Sequence, residues 1–360
     1  MRYVPETLSA TEKIRVLVVD DSVVIRRMLS RILESDSAIQ LVGVACNGLE
    51  ALTKIAELKP QVVTLDVEMP EMTGLEALRE IAKRHANVRV VMLSSLTTQG
   101  ADTTIEALMS GASDYVGKPA QMEGSAFERL SVELLMKVKQ FFRFAGSPSD
   151  EAAPAPKPIV LAASPAATIY HEICAIGVST GGPTALLEAL PMAPRDFPLP
   201  IVIVQHMPPL FTQMLAERLD RACAIEVREG KDGMTVEAGQ AIVAPGGYHM
   251  RVVRAGRGLA VALDEGPREN SCRPAVDVLF RSIVENLDGR AIAAVLTGMG
   301  YDGLEGSRML KARGATVLAQ DEATSVVWGM PGAVVGAHLA DAVLPIHRIV
   351  PELMKRAHTR

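Results

Sequence analysis

Aromatic side chains are scarce in this chain. Phe, Tyr and Trp make up 4% of its 360 residues, although apolar residues as a whole reach 48%. The interior must therefore be built from Val, Leu, Ile and Ala, the composition of buried parallel strands flanked by helices. Cysteine is sparse as well. Cys46, Cys174, Cys223 and Cys272 lie far apart with no CxxC spacing, which excludes a disulfide scaffold and reads as free, mostly buried thiols in a reducing compartment. The seven histidines form no HExxH or other metal signature. No run of 18 apolar residues is present and the start lacks the pattern of a signal peptide, so a soluble, cytoplasmic protein is expected. A net charge of −5 supplies no basic platform for nucleic acid.

The length suggests two domains. Between two apolar-periodic regions, the stretch AGSPSDEAAPAPKPIVLAASPAAT carries eight Ala, five Pro and no aromatic residue, so it cannot build a core and reads as a semi-extended linker. The expected division is a domain over 12–143, a linker over 144–168 and a second domain over 169–357, with the first ten residues a loose tail.

The first domain alternates strand and helix. IRVLVV (14–19), IQLVGVA (39–45), VVTL (62–65), VRVVML (88–93) and SDYV (113–116) read as five strands separated by amphipathic helices, a doubly wound parallel α/β sheet. Sites in such sheets form at the carboxyl ends of strands. Here those ends lead to Asp20 and Asp21, Asp66, Ser94, and Lys118 with Pro119. A single Asp at such a place is ordinarily a helix cap. Three carboxylates at one edge repel one another unless a hard divalent cation sits among them, and Mg²⁺ accepts such oxygen donors. Asp66 can then accept a phosphoryl group, with the metal and Lys118 offsetting the added charge.

In the second domain ICAIGV (173–178) leads to Ser179, PIVIVQ (200–205) to His206, and AIAAVLTGMG (291–300) to Asp302. Parallel strands would bring the three to one edge of a Rossmann-like sheet, where His can take the Ser proton and Asp can orient the imidazole. GVSTG fits G-x-S-x-G, a sharp strand-to-helix turn that pushes a hydroxyl outward. Helix N-terminal amides at that turn hold an oxyanion or a phosphate equally well, so nucleophile and phosphate cradle both remain open on the residues alone. His206 can also be a plain strand-end residue, and Asp302, in GMGYDG, an Asx-turn residue. His249, in APGGYHM, is a rival base or a pocket-wall residue.

VVDDS, LDVEMPEMTG, VVMLSS and GASDYVGKP make the first domain resemble the response-regulator receiver family. IGVSTGGP, VIVQHMPPLFT, APGGYHM, CRPAVDVLF, VLTGMGYDG and VVWGMPGAV make the second similar to the catalytic domain of the chemotaxis protein-glutamate methylesterases. The resemblance implies that a histidine kinase phosphorylates Asp66, that Asp20, Asp21 and Asp66 hold Mg²⁺, and that Lys118, Ser94 and Tyr115 form the receiver switch. It implies Ser179 as nucleophile, His206 as base and Asp302 as its orienter, with Gly298 and Met299 beside the oxyanion site and Thr180 and His249 in the same pocket. No cofactor is expected in the catalytic domain. The implied substrates are glutamate methyl esters, and also glutamines, on chemoreceptor cytoplasmic helices, with the unphosphorylated receiver covering the catalytic cleft. Tyr301 stands at the pocket rim where small or polar residues are common, which bears on substrate preference. Two other readings are a receiver-controlled serine esterase for another substrate and a non-enzymatic docking module. A catalytic set of Ser, His and Asp argues against the second.

Overall fold

The computed structural model describes residues 6–9, 11–95, 97–118, 125–144 and 170–357. The chain divides into two compact units, each with its own parallel sheet. The expected linker over 144–168 lies outside the described residues, except that Phe144 ends a strand. Pro119 also lies outside them.

The first unit runs β1 (Glu6–Leu8), β2 (Ile14–Val19), α1 (Val23–Glu34), β3 (Ile39–Ala45), α2 (Gly48–Leu58), β4 (Val62–Asp66), α3 (Gly74–Arg84), β5 (Arg89–Ser95), α4 (Thr98–Met109), β6 (Asp114–Lys118), α5 (Ser125–Lys139) and β7 (Phe142–Phe144). Five strands form a parallel sheet in the order β3-β2-β4-β5-β6, as the alternating pattern predicts. The central strands are apolar on both faces because helices cover both: α1 packs with α5, and α2, α3 and α4 follow one another. Helix starts are set by short polar caps. Asn47 accepts from the Glu50 N–H at 2.8 Å, and Thr73 and Glu76 form a reciprocal capping box. The chain start is not wholly loose. Residues 6–8 pair in parallel with residues 142–144, a two-stranded ribbon too short to leave a periodic signal in the sequence.

The second unit runs β8 (Ile173–Val178), α6 (Gly182–Ala189), β9 (Ile201–Gln205), α7 (Phe211–Ala222), β10 (Glu226–Glu229), β11 (Thr235–Val236), β12 (Gln240–Val243), β13 (His249–Ala255), β14 (Gly258–Asp264), α8 (Val276–Leu287), β15 (Ala291–Val295), α9 (Leu304–Ala312), β16 (Thr316–Gln320), α10 (Met330–Gly336), β17 (Ala342–Leu344) and α11 (Ile346–Ala357). Its seven parallel strands lie in the order β10-β12-β9-β8-β15-β16-β17, and β11, β14 and β13 form a small antiparallel sheet. The hairpin of β13 and β14 packs on α8, and Met250, Val252, Phe280, Ile283 and Val295 are buried in one core.

Strand order explains where sites can form. The chain leaves β8 toward β9 on one side and later returns to β15 on the other, so order reverses between β8 and β15. In the first unit the reversal falls between β2 and β4. A crevice opens at the carboxyl ends of strands at such points.

Candidate active site and phosphoacceptor site

At the β8–β15 reversal, Val178 pairs with Gln205 and Gly177 pairs with Val295. Ser179 and His206 therefore follow paired strand-end residues, and the loop after β15 carries Asp302 back to the same edge. The Ser179 N–H donates to Thr297 O at 3.0 Å, and the His206 N–H to Val178 O at 3.2 Å, so both backbones are tied to neighbouring strands. The Gln205 carboxamide donates to Ser179 O at 3.0 Å, which fixes the turn from a second side. The turn's glycines answer to this crowding. Gly181 takes φ +77°, and a Cβ there would lie 2.5 Å from Val326. At Gly177 a Cβ would lie 2.4 Å from Val276 Cγ1, so the missing side chain lets the start of α8 close over β8.

That approach matters for Asp302. Its Oδ2 accepts from the Val276 N–H at 2.6 Å and lies 2.8 Å from His206 Nε2. Its Oδ1 accepts from the Asp277 and Gly303 N–H groups, each at 3.0 Å, and from Asn270 Nδ2 at 2.9 Å. Burial would raise the carboxyl pKa, but His206 and these donors outweigh it and hold Asp302 below the usual carboxylate range. Burial would likewise lower the His206 pKa. The Asp302 bond, with a smaller contribution from the Cys272 thiol beside the ring, instead raises it. With Nε2–H engaged by Asp302, Nδ1 is the ring nitrogen left to receive a proton. Among the described residues no hydrogen bond joins the Ser179 hydroxyl to the imidazole. Ser179 is half-buried.

The other expected pocket residues divide. Gly298 packs against Ser179, since a Cβ there would lie 2.8 Å from Ser179 Cβ, but its N–H already donates to Val327 O at 2.9 Å. The Met299 N–H has no acceptor among the described residues. Thr180 is buried, and its carbonyl accepts from Thr297 Oγ1 at 2.9 Å. His249 is buried and its Nε2 lies 2.9 Å from Pro267 O, without a contact to Ser179 or His206 among the described residues. Tyr301 is 59% exposed. All four cysteines are free, but only Cys174 is buried; Cys46 is exposed, and Cys223 and Cys272 are half-buried. Asn270, Asp277 and Cys272 escape a reading based on strand ends, because they come from a loop and a helix start.

At the β2–β4 reversal of the first unit, ligand oxygens of Asp20, Asp21 and Asp66 lie within 4.8 Å of one another. Lys118 Nζ sits 2.8 Å from Asp20 Oδ2 and 2.7 Å from Asp66 Oδ1. Burial pushes the Asp66 carboxyl up to about 6, because the Lys118 ammonium only partly offsets desolvation and Asp20 adds a like charge. Burial works against the Lys118 charge, yet the two carboxylates raise its pKa. Ser94 is fully buried and bonds to Thr104 Oγ1 and to Gly100 O rather than to Asp66. Tyr115 is buried with Lys137 Nζ 4.7 Å from its ring centre. Asp20, Asp21, Asp66 and Lys118 thus come together, whereas Ser94 and Tyr115 are engaged elsewhere.

The CheB methylesterase family matches residues 174–353, and the response regulator receiver domain family matches residues 16–124. A protein-glutamate methylesterase/protein-glutamine glutaminase of Trichodesmium erythraeum is 46% identical over 348 residues, covering 96% of this chain and 99% of the relative. One from a Nocardioides species is 46% identical over 356 residues, covering 95% of each chain. The solved CheB methylesterase catalytic domain of Thermotoga maritima is 42% identical, with a TM-score of 0.50, covering 51% of this chain and 98% of that one. No helix among the described residues is long and apolar enough to cross a membrane. Carrying a receiver domain ahead of a CheB methylesterase domain, with similarity over nearly its whole length, the chain belongs to the protein-glutamate methylesterase/protein-glutamine glutaminase family.

Proposed function

We propose that this chain is a phosphorylation-controlled hydrolase of the cytoplasm that acts on glutamate methyl esters, and on glutamines, of chemoreceptor helices through Ser179, His206 and Asp302. The observation that carries the reading is the 2.8 Å His206–Asp302 pair, at the strand-order reversal where Ser179 also emerges. Ser179 Oγ attacks the ester carbonyl carbon while His206 Nδ1 takes its proton. Asp302 stabilises the imidazolium that forms. The Met299 N–H is a donor for the oxyanion. The imidazolium then protonates the departing methoxide, releasing methanol and leaving an acyl-Ser179. Water, deprotonated by the same imidazole, cleaves the acyl-enzyme and restores Ser179. A glutamine substrate follows the same steps with ammonia as the leaving group. In the full chain, Ser179→Ala is expected to abolish methanol release from methyl-labelled receptor cytoplasmic fragments while preserving the thermal midpoint. Release near the wild-type rate would sink the assignment.

The receiver supports a phosphoryl switch. Three clustered carboxylates form a hard-oxygen donor set that suits Mg²⁺, and Asp20, Asp21 and Asp66 would hold it. Bound there, the ion would offset charge on the phosphoryl group being transferred. Asp66 accepts that group from a phosphohistidine of a chemotaxis histidine kinase, its carboxylate oxygen forming the O–P bond as the N–P bond breaks, and Lys118 supplies a fixed counter-charge. Ser94 and Tyr115 are the groups whose bonding then changes, and the phosphorylated receiver relieves its repression of the hydrolase.

A further inference from the structure

Two helices meet at Asp302, and neither supplies its own cap. Ala275 precedes α8 and Gly303 precedes α9, and neither residue makes a side-chain cap bond. The caps are exchanged instead. Asp302, just before α9, accepts from the Val276 and Asp277 N–H groups at the start of α8, at 2.6 and 3.0 Å. Asp277, in the first turn of α8, accepts from the Gly306 N–H in the first turn of α9 at 2.7 Å. Gly306 is needed for this approach, because a Cβ there would lie 2.5 Å from Phe280 Cβ.

Reciprocal capping brings two buried carboxyls to one place, each about 2% exposed. Such a pair repels unless a donor lies between. Asn270 is that donor: its Nδ2 lies 2.9 Å from Asp302 Oδ1 and 2.9 Å from Asp277 Oδ2. Only the amide end can face two carboxylate oxygens, so the orientation of the carboxamide is settled by its partners. The two acids are driven in opposite directions. Burial and the Asp302 charge push Asp277 up, while the His206 bond and the backbone donors overcome burial and hold Asp302 down.

We propose that Asn270 and Asp277 are positioning residues for the hydrolysis: they lock Asp302, and through its bond to Nε2 the His206 imidazole, in one orientation, which keeps Nδ1 clear of Asp302. This inference rests on the Ser179–His206–Asp302 reading. The competing explanation for Asn270 is local. Asn270 and Ser271 take φ +52° and +65° in a tight turn closed by Glu269 and Cys272, and Asn is tolerated in that region better than most residues. Glycine accepts the same backbone and carries no amide, so Asn270→Gly separates the two roles.

The test uses the full chain, methyl-labelled receptor fragments and ¹⁵N–¹H spectra of the histidine rings, with Ser179→Ala in parallel. Asn270→Gly is expected to lower kcat about 10- to 100-fold, by analogy with the loss when the hydrogen-bond partner behind a metal-ligating residue is removed, with little change in KM. The His206 ring N–H resonance should shift or broaden with it. Asn270→Asp keeps the size and the turn tolerance but replaces the donor by an acceptor, and should lose at least as much. Asp277→Asn keeps the Gly306 cap while removing one acceptor from Asn270, and should show a smaller loss with the same spectral change. If Asn270→Gly is poorly folded, the Asn270→Asp and Asp277→Asn pair decides. Wild-type kcat in the folded Asn270 variants, with Ser179→Ala inactive, overturns the positioning role and leaves the triad standing. A lower kcat with an unchanged His206 resonance overturns it too, since the effect then does not pass through Asp302. Full activity in Ser179→Ala removes the triad reading and this inference with it.

Discussion

Two buried aspartates occupy matching places in the two halves of the chain, and their carboxyls are shifted in opposite directions. Asp66 ends β4 beside the reversal of the first sheet, and Asp302 follows β15 beside the reversal of the second. Asp66 is pushed up to about 6 because desolvation is only partly met by Lys118 and the Val67 N–H, with Asp20 adding repulsion. Asp302 is held down because His206, Asn270 and three backbone N–H groups saturate its oxygens. The fold supplies the same strand-order reversal twice. What differs is whether donors or further acids line it. The proposed roles follow that difference: an under-compensated carboxylate among others suits a cation and a phosphoryl group, and a saturated one suits a fixed charge for an imidazole.

The largest expected effect tests the saturated side. Asp302→Asn should lower kcat roughly 10³- to 10⁴-fold, as loss of an orienting carboxylate does elsewhere. The direction of the pH profile follows from His206. Its raised pKa makes the free base available only at higher pH, so removing the carboxylate should move the acid limb of kcat/KM to lower pH even as the plateau falls. Full pH–rate profiles of both proteins check this. A limb that stays in place would mean that Asp302 does not set the imidazole pKa.

A smaller effect is expected on the acidic side, because under the proposed mechanism Asp66 acts on the reaction only through the switch. A small phosphodonor with Mg²⁺ should load one phosphoryl group and raise the hydrolysis rate about 5- to 150-fold, the usual span of allosteric coupling. Asp66→Asn should block loading and hold the chain near its basal rate. Removing residues 1–145 should raise that basal rate and abolish the response to phosphodonor. A truncated chain no faster than the unphosphorylated full chain would rule out repression by the receiver.

These contrasts were legible in the sequence to different degrees. Asp20, Asp66, Lys118, Ser179, His206 and Asp302 each end or closely follow a short apolar run, so the parallel-sheet pattern alone brought them to the right edges. The contacts of Ser94 and Tyr115 were not legible from position, since the Ser94 bond to Thr104 and the Tyr115 contact with Lys137 come from helices whose packing no local pattern encodes. Asn270 and Asp277 were hidden for the same reason. Their approach to Asp302 depends on α8 closing over Gly177 and on Gly306 admitting α8 to α9. Cys272 looked like another scattered thiol until the turn from Glu269 brought it beside His206.

Cation binding should sharpen the comparison further, with an effect of roughly tenfold in the folding equilibrium. Three acids that gain a divalent ion only when folded are stabilised by mass action, about 1.4 kcal/mol at tenfold the dissociation constant. Thermal melts with and without Mg²⁺ should show this gain in the first unit, and Asp20→Asn or Asp66→Asn should reduce it. The Asp302 side contains no such acid cluster among the described residues, so its transition should not respond. Equal shifts in both transitions would show a general salt effect instead.

The smallest effect on catalysis is expected at His249, which supplies an internal control for the imidazole. It begins β13 and is as buried as Asp302, yet its ring is bound to the Pro267 carbonyl rather than to a carboxylate. Its cross-strand partner Asp264 accepts from Arg251 Nε at 2.7 Å and from the Gly266 N–H at 2.9 Å, so no bond ties that carboxylate to the ring. The remaining ring nitrogen, Nδ1, is buried without a hydrogen-bond partner among the described residues. An imidazole so placed has neither the orienting charge nor the open face that a base needs. His249→Ala should therefore cost stability, about 1–3 kcal/mol for the lost packing and the unpaired Pro267 carbonyl, while kcat stays within roughly threefold of wild type. His206→Ala should do the opposite, abolishing methanol release while the melting transition moves little. Comparing both variants for methanol release and thermal midpoint decides the matter, and a reversed pattern would make His249 the base and leave the His206–Asp302 pair a structural one.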